Sequence, residues 1–457
     1  MPPLEKKQKT RQEPGDFGFI HSVIDACPIV DNHAHPLLRA EWLYNYPLLS
    51  IASEAHGDAL EDSKYSLAHI RATNILAEIL GCEPEWNAVE AAIVGKQITN
   101  SEAWTRVCLD GIETILVDDG LDGQQRVEPY SWLDSFTRSK CKRIVRIEAL
   151  AEYWIVSWLR DLADVRTSSL AEHLLEKIRF GLAKCLEDPE VVGFKSVICY
   201  RGGLDIPSAN DISKAAARDA LSKLIDNHRS GANDFIENKR LQHPAINHYL
   251  IHLIAQMIRD HPVQLKKPIQ FHTGLGDNDI GIECIFTLTK SSPSHMQTFI
   301  REYPTVPIVI LHASYPWTRE AGYLAAMYKN VYADIGEVFP FLSQHGQESV
   351  IKQILELCPW SKILWSTDGH WFPETYLVLS NLPSDGITRL HGKTRENSAN
   401  KRPPQLSDWP QFNEKQAYDL VYAIMFKNSE KLYDLRSLET KPPTYEQARQ
   451  DFLATQF

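Results

Sequence analysis

The sequence predicts an α/β chain folded as a (β/α)8 TIM-type barrel, on three observations. Short β-rich runs alternate with helical segments along most of the chain, the runs number eight, and 457 residues leave a surplus for insertions. Parallel neighbours in a sheet need a crossover, usually a helix, and eight such units close into a barrel of about 250 residues.

In chain order, residues 1–17 are basic, polar and proline-bearing and are expected to form a flexible tail, with 18–457 as one barrel domain. Phe19 to Ala26 reads as a helix leading into the first strand, which starts at Ile29 and runs out at His33 and His35. From 40 to 107 the pattern is helical without a strand signal, an insertion after the first strand. Within it Leu67, Ile70, Ile75, Leu76, Ile79 and Leu80 recur near the helical period, predicting an apolar face, and Gly81 stops the helix. The other strand-like runs are Gly111–Asp118, Lys142–Ala149, Val191–Tyr200, Lys267–Gly274, Val306–Ser314, Asn330–Gly336 and Lys362–Asp368. Helices are expected near 151–163, 168–187, 209–228 and 244–260, and near 412–427 and 443–453 at the end. Residues 384–410, rich in Pro, Asn, Ser, Lys and Arg, read as a long surface loop.

Composition removes several classes of function. Charged residues at 23% and hydrophobic ones at 43% describe an ordinary globular chain. The formal charge, 48 − 59 = −11, with no long basic run beyond the tail, argues against a nucleic-acid partner. No apolar signal region follows the N-terminus and no stretch stays apolar long enough to span a bilayer, so no membrane partner and a cytoplasmic location are expected. The eight cysteines form no Cys-x-x-Cys pair and read as reduced core thiols.

Chemistry in such a barrel belongs at the carboxyl ends of the strands, where the following loops surround the mouth. His33 and His35, two apart on a strand, point the same way, and neutral imidazole is a common zinc ligand. The fourth strand carries Lys195 with Tyr200 and Arg201 beyond it; the fifth ends in His272, the sixth in His312, the eighth in Asp368. Singly, each has an ordinary explanation: a hydrogen-bonded core histidine, an Asp-Gly turn, a lysine reaching for solvent. Jointly, they predict a site for a divalent metal, Zn²⁺ before others, as one or two ions. Tyr200 and Arg201 are candidates to hold a substrate carboxylate. His248 and His252, four apart without an adjoining Glu, read as a helix face, and the Gly274-Leu-Gly276 loop is no phosphate cradle.

The motifs HAH, PIQFHTG, VILHAS and WSTDGH resemble the metal-dependent amidohydrolase superfamily. VVGFKSVICYRGGLD, LHASYPWTREAGYLAAMYKNVYADIGEVFP and KILWSTDGHWFPETY look, more closely, like the N-terminal amidohydrolase-like half of the fungal FluG family, over most of residues 19–435. That family continues into a glutamine-synthetase-like domain whereas this chain ends at Phe457, so what the coupled halves achieve is not carried over. The resemblance implies that His33, His35 and His272 are metal ligands and that Asp368 is both ligand and general acid/base. It makes His312 a second-metal ligand or a carbonyl polariser, and Lys195 the position where binuclear members place a carboxylated, bridging lysine.

The implied reaction is hydrolysis of an amide C–N bond in a small-molecule substrate, with a γ-glutamyl amide suggested by the synthetase-like partner domain of FluG relatives. The rivals are a metal-dependent decarboxylase of a small carboxylic acid, a sugar-acid isomerase, and a signalling module without turnover. Homo-oligomerisation is left open.

Overall fold

Eight parallel strands stand side by side in chain order: β1 (Ile29–Ala34), β2 (Ile112–Asp118), β3 (Lys142–Arg146), β4 (Val191–Ser196), β5 (Ile269–Phe271), β6 (Ile308–Ile310), β7 (Val331–Asp334) and β8 (Ile363–Leu364). Backbone hydrogen bonds bring the β8 end back against β1, from Asn32 to Trp365 O (3.1 Å), Asp368 to His33 O (2.9 Å) and His35 to Gly369 O (2.7 Å). This is the expected (β/α)8 barrel. The computed structural model describes residues 17–123, 125–161, 167–232, 235–238, 240–276, 288–380 and 412–455. The expected loop at 384–410 and nearly all of the expected tail lie outside them.

The strands are apolar on both faces because each face meets a different core. On β6, Ile308 and Ile310 pack outward with the helices, while Val309 joins Val30, Leu116, Ile144, Val192 and Leu364 inside the barrel. Phe426, Leu432, Tyr433 and Leu435, from the C-terminal segment, complete that inner layer. The polar groups among them are satisfied in a chain: Gln270 donates to the Tyr433 hydroxyl (2.7 Å), which donates to Asn32 Oδ1 (3.0 Å), and Asn32 Nδ2 donates to Asp334 Oδ2 (2.7 Å). Strict alternation fails at one point. The pairing of β1 with β2 shifts register between Asp31 and Ala34, and two consecutive side chains, Asn32 and His33, both reach inward, to Asp334 and to Lys195.

Helices Ile147–Asp161, Thr167–Glu187, Lys214–Arg229 and Pro244–Asp260 lie where expected. His252 on the last is buried, its Nε2 donating to Pro207 O at 2.9 Å and its Nδ1 accepting from the Tyr303 hydroxyl at 2.7 Å, so it serves packing as anticipated. The insertion corrects one expectation. On helix Leu67–Leu80 half of the anticipated apolar stripe faces solvent, with Leu67 69%, Ile70 47% and Ile79 38% exposed, while Leu76 is buried and Ile75 and Leu80 are partly buried against the core. The buried face is Ala68, His69, Ala72, Thr73, Leu76 and Ala77. Short side chains let this helix lie closely against helix Trp86–Cys108, which supplies the bulk through Val89, Ile93 and Trp104. No described helix is long and apolar enough to cross a membrane.

Trp104 ties the insertion to the helix after β8, donating its indole N–H to Glu374 Oε1 at 2.6 Å. Burial pushes the Glu374 carboxyl up to about 7 from an ordinary 4.5, the Trp104 bond opposing only in part. A folded value above the unfolded one means stability that is present below pH 4.5 and lost as pH rises through 7. Glu374→Gln removes this dependence. Between pH 5 and 8 the variant is expected to gain about 2–3 kcal/mol on the wild type in urea unfolding. A pH-independent difference would show the carboxyl to be ionised throughout.

Candidate metal centre

The carboxyl ends of β1, β4, β6 and β8 deliver their polar residues to one point. His33 Nε2 lies 3.2 Å from Asp368 Oδ1 and 2.9 Å from Lys195 Nζ, and His35 Nε2 lies 3.3 Å from the same Asp368 oxygen. His33, His312 and Asp368 each offer a donor atom within 4.8 Å of one another. All these side chains are buried. His272 turns aside. The Tyr200 hydroxyl lies 2.9 Å from its Nδ1, and its Nε2 is 2.7 Å from the Leu275 carbonyl. Gly276 makes room for this arrangement, since a Cβ there would stand 2.3 Å from His272 Nε2. His272 therefore groups with His312 and Glu337 rather than with Asp368.

Tyr200 and Arg201 both line a cavity of about 280 Å³ together with His35, Lys195, His272 and Asp368. Arg201 also pairs with Glu152 at 3.1 Å, so its charge is already partly matched.

Several further residues complete the rim. Asp118, at the end of β2, accepts from Arg146 at the end of β3, at 2.7 Å from Nη2 and 3.0 Å from Nε to Oδ2. Its backbone carbonyl accepts from His35 Nδ1 at 3.0 Å, which aims Nε2 at Asp368. Gly120 permits the Arg146 side chain to cross, a Cβ there meeting Arg146 Cβ at 2.5 Å. Glu337, after β7, is buried beside His312. The final polar residues of β2 and β3, taken like those of the histidine-bearing strands, point to Asp118 and Arg146.

Backbone strain concentrates at the same rim. His312 (φ 66°), Glu337 (φ 56°) and Asp368 (φ 54°) all lie in the left-handed region, each at a cost of order 1 kcal/mol for a non-glycine residue. Asp334 holds the first in place, its Oδ1 accepting from His312 N at 3.2 Å and from Gly336 N at 3.0 Å.

The charge states are those of metal ligands. Burial, reinforced by Lys195, lowers His33 to about 4. His272 and His312 are held well below their ordinary value, again by burial first. Asp368 goes the other way: burial would raise it, but His312 and hydrogen bonds from His33 and His35 hold it well below the usual carboxylate range. Burial also lowers Lys195, against the pull of Asp118 and Asp368. Neutral imidazoles around an ionised carboxylate are the binding forms. Both nitrogens of His312 are buried without a hydrogen-bond partner, which is costly unless something fills the space beside them. An imidazole and carboxylate donor set of this kind fits a divalent cation.

Residues 263–435 match the amidohydrolase family model. More particularly, the chain is 37% identical over 437 residues to protein fluG of Emericella nidulans, covering 93% of this chain and 47% of that protein. It thus spans about half the length of that relative. Among solved structures it is similar to a Lactobacillus casei ATCC 334 protein described as a metal-dependent hydrolase, at TM-score 0.70 and 21% identity over 92% of this chain and 99% of that one. It is also similar to a uronate isomerase from Bacillus halodurans C-125, at TM-score 0.57 and 13% identity over 92% and 96%. At those identities the likeness shows the fold.

Proposed function

We propose that the chain is a metal-dependent hydrolase that cleaves an amide C–N bond in a small molecule, with Asp368 as the proton carrier. The observation that carries this reading is the ionised Asp368 carboxylate set 3.2 and 3.3 Å from the imidazoles of His33 and His35 on the wall of a cavity. His33, His35, His312 and Asp368 would hold the cation, with His272 beside them. When bound there, a divalent cation supplies Lewis acidity to a substrate carbonyl and to water.

The chain's own residues do the rest. Asp368 accepts a proton from the attacking water as the C–O bond forms and returns it to nitrogen as the C–N bond breaks. The Asp118 carbonyl, held with Arg146, keeps His35 in one tautomer, and the Leu275 carbonyl does the same for His272. Arg201 and Arg240 on the cavity wall offer positive charge to a substrate carboxylate. That supports an acidic acyl group, and the FluG resemblance favours a γ-glutamyl amide.

The test is metal analysis of the purified chain, followed by a panel of γ-glutamyl and other amides assayed for amine release before and after chelation. Bound divalent metal and amine release that chelation abolishes and metal restores are expected. Release of carbon dioxide instead would transfer the site to decarboxylation. A metal-free chain with full activity would sink the proposal.

A further inference from the structure

Among the described residues, the Asp, Glu, Lys and Arg side chains on the cavity wall are sorted by sign around the barrel. The carboxylates, Glu54, Asp122 and Asp368, come from the segments after β1, β2 and β8, strands that stand together. The cations, Arg146, Lys195, Arg201 and Arg240, come from the ends of β3 and β4 and from the segment before β5. Arg146 and Lys195 are engaged within the rim, against Asp118 at 2.7 Å and His33 Nε2 at 2.9 Å. Arg201 meets Glu152 at 3.1 Å, keeps a buried Nε without a hydrogen-bond partner, and lies close enough to Arg240 to feel its charge. That arc suits a carboxylate.

The other arc has the opposite character. Trp371 stands on the cavity wall three residues after Asp368, its ring against Tyr46 with centroids 4.7 Å apart. The Trp371 indole N–H and the Tyr46 hydroxyl, the latter at 3.1 Å, both donate to Asp122, which fixes that carboxylate beside the ring. Arg126 donates to the same hydroxyl at 3.3 Å from outside the cavity wall. Glu54 brings an oxygen within 4.8 Å of Glu337, which is 1% exposed and has no hydrogen-bond partner on either oxygen. Carboxylates beside an aromatic face, with no Lys or Arg on this arc of the wall, favour an ammonium group. A neutral alkyl group in the same place would desolvate them without matching their charge.

We propose that the substrate is an amide joining a carboxylate-bearing acyl group, held by Arg201 and Arg240, to a diamine whose free ammonium sits against Trp371, Asp122 and Glu54. This rests on the hydrolase reading of Asp368. Asp368, which returns the proton to nitrogen, stands on the arc that receives the amine, so the scissile bond lies between the two arcs. Water supplies oxygen to the acyl carbon and a proton to the departing nitrogen, giving the acid and the free diamine.

The probes are two γ-glutamyl amides of equal length, one of 1,4-diaminobutane and one of pentylamine, in which a methyl group replaces the ammonium. Two matching ketones, with CH2 in place of the amide N–H, cannot be hydrolysed. Isothermal titration calorimetry on the full-length chain as purified reads ketone binding, and amine release reads turnover. The ammonium ketone is expected to bind at least about tenfold more tightly than the methyl one. Asp122→Asn and Glu54→Gln are each expected to shrink that ratio at least about threefold. Equal affinity for the two ketones, or no binding of either, overturns the proposal; if either amide is cleaved, the hydrolase reading still stands. A ratio that neither variant changes overturns the assignment of Asp122 and Glu54. A preference for the ammonium ketone with no amine released from either amide overturns the hydrolase reading and leaves the cation-binding wall. A thermal melt reports whether each variant is folded, and where one is not, the other decides.

Discussion

Asp368→Asn is expected to lower kcat/KM for an amide substrate by about 10²–10⁴-fold, the range for removal of a general acid/base. The amide keeps the shape of the carboxylate but cannot accept a proton from water and return it to a leaving amine. Asn is also the right replacement for the backbone, because residue 368 has φ 54°, a left-handed conformation that Asp and Asn tolerate better than most residues. The backbone bond from residue 368 N to His33 O, 2.9 Å, is retained. Because, against burial, His312, His33 and His35 hold Asp368 below the usual carboxylate range, its ionised form stabilises the fold at neutral pH, so the unfolding midpoint of the variant is expected to fall without collapsing. Steady-state kinetics and a urea melt on one preparation separate the two effects. Turnover within tenfold of the wild type would remove Asp368 as proton carrier, and a collapsed melt would make the kinetic loss uninformative.

Arg146→Met is expected to destabilise the fold by about 3–5 kcal/mol, the cost of leaving one partner of a buried ion pair alone. Asp118 is fully buried, and burial would raise its carboxyl; Arg146, with help from His35 and Lys195, outweighs that and holds it below the usual carboxylate range. A depressed folded value contributes stability that is present above the unfolded value near 3.8 and lost as pH falls through the folded one. The wild type thus benefits from the pair at neutral pH, and the Met variant is expected to show its deficit there and to narrow it in acid. Denaturant unfolding at pH 7 and at pH 2.5 checks both. A loss under 1 kcal/mol at pH 7 would mean that Asp118 finds other partners when Arg146 is gone.

Much of the site was legible because strand-end position and residue type are both written in the chain. Histidines or an aspartate following runs such as Ile308–Leu311 or Ile363–Ser366 have no reason to end a buried strand unless the barrel mouth uses them. Glu337 was not legible in the same way. It lies three residues past the end of β7, and a reversed φ rather than strand alternation delivers it to His312. Helix Leu67–Leu80 misled for a related reason. Hydrophobic periodicity assumes that bulk is buried, whereas here the partner helix carries the bulk and the small residues face it.

The sequence by itself determined the eight-strand barrel, the helical insertion after β1 and the histidines and aspartate at the strand ends, since these follow from local apolar runs and their punctuation. Tertiary structure alone decided which imidazoles share Asp368, that His272 turns to Tyr200 and Leu275, and that Arg146, Asp118, Glu54 and Glu337 join the rim. Those are contacts between groups far apart in the chain, set by a register shift in β1 and left-handed residues at the strand ends, and neither leaves a periodic trace in the sequence.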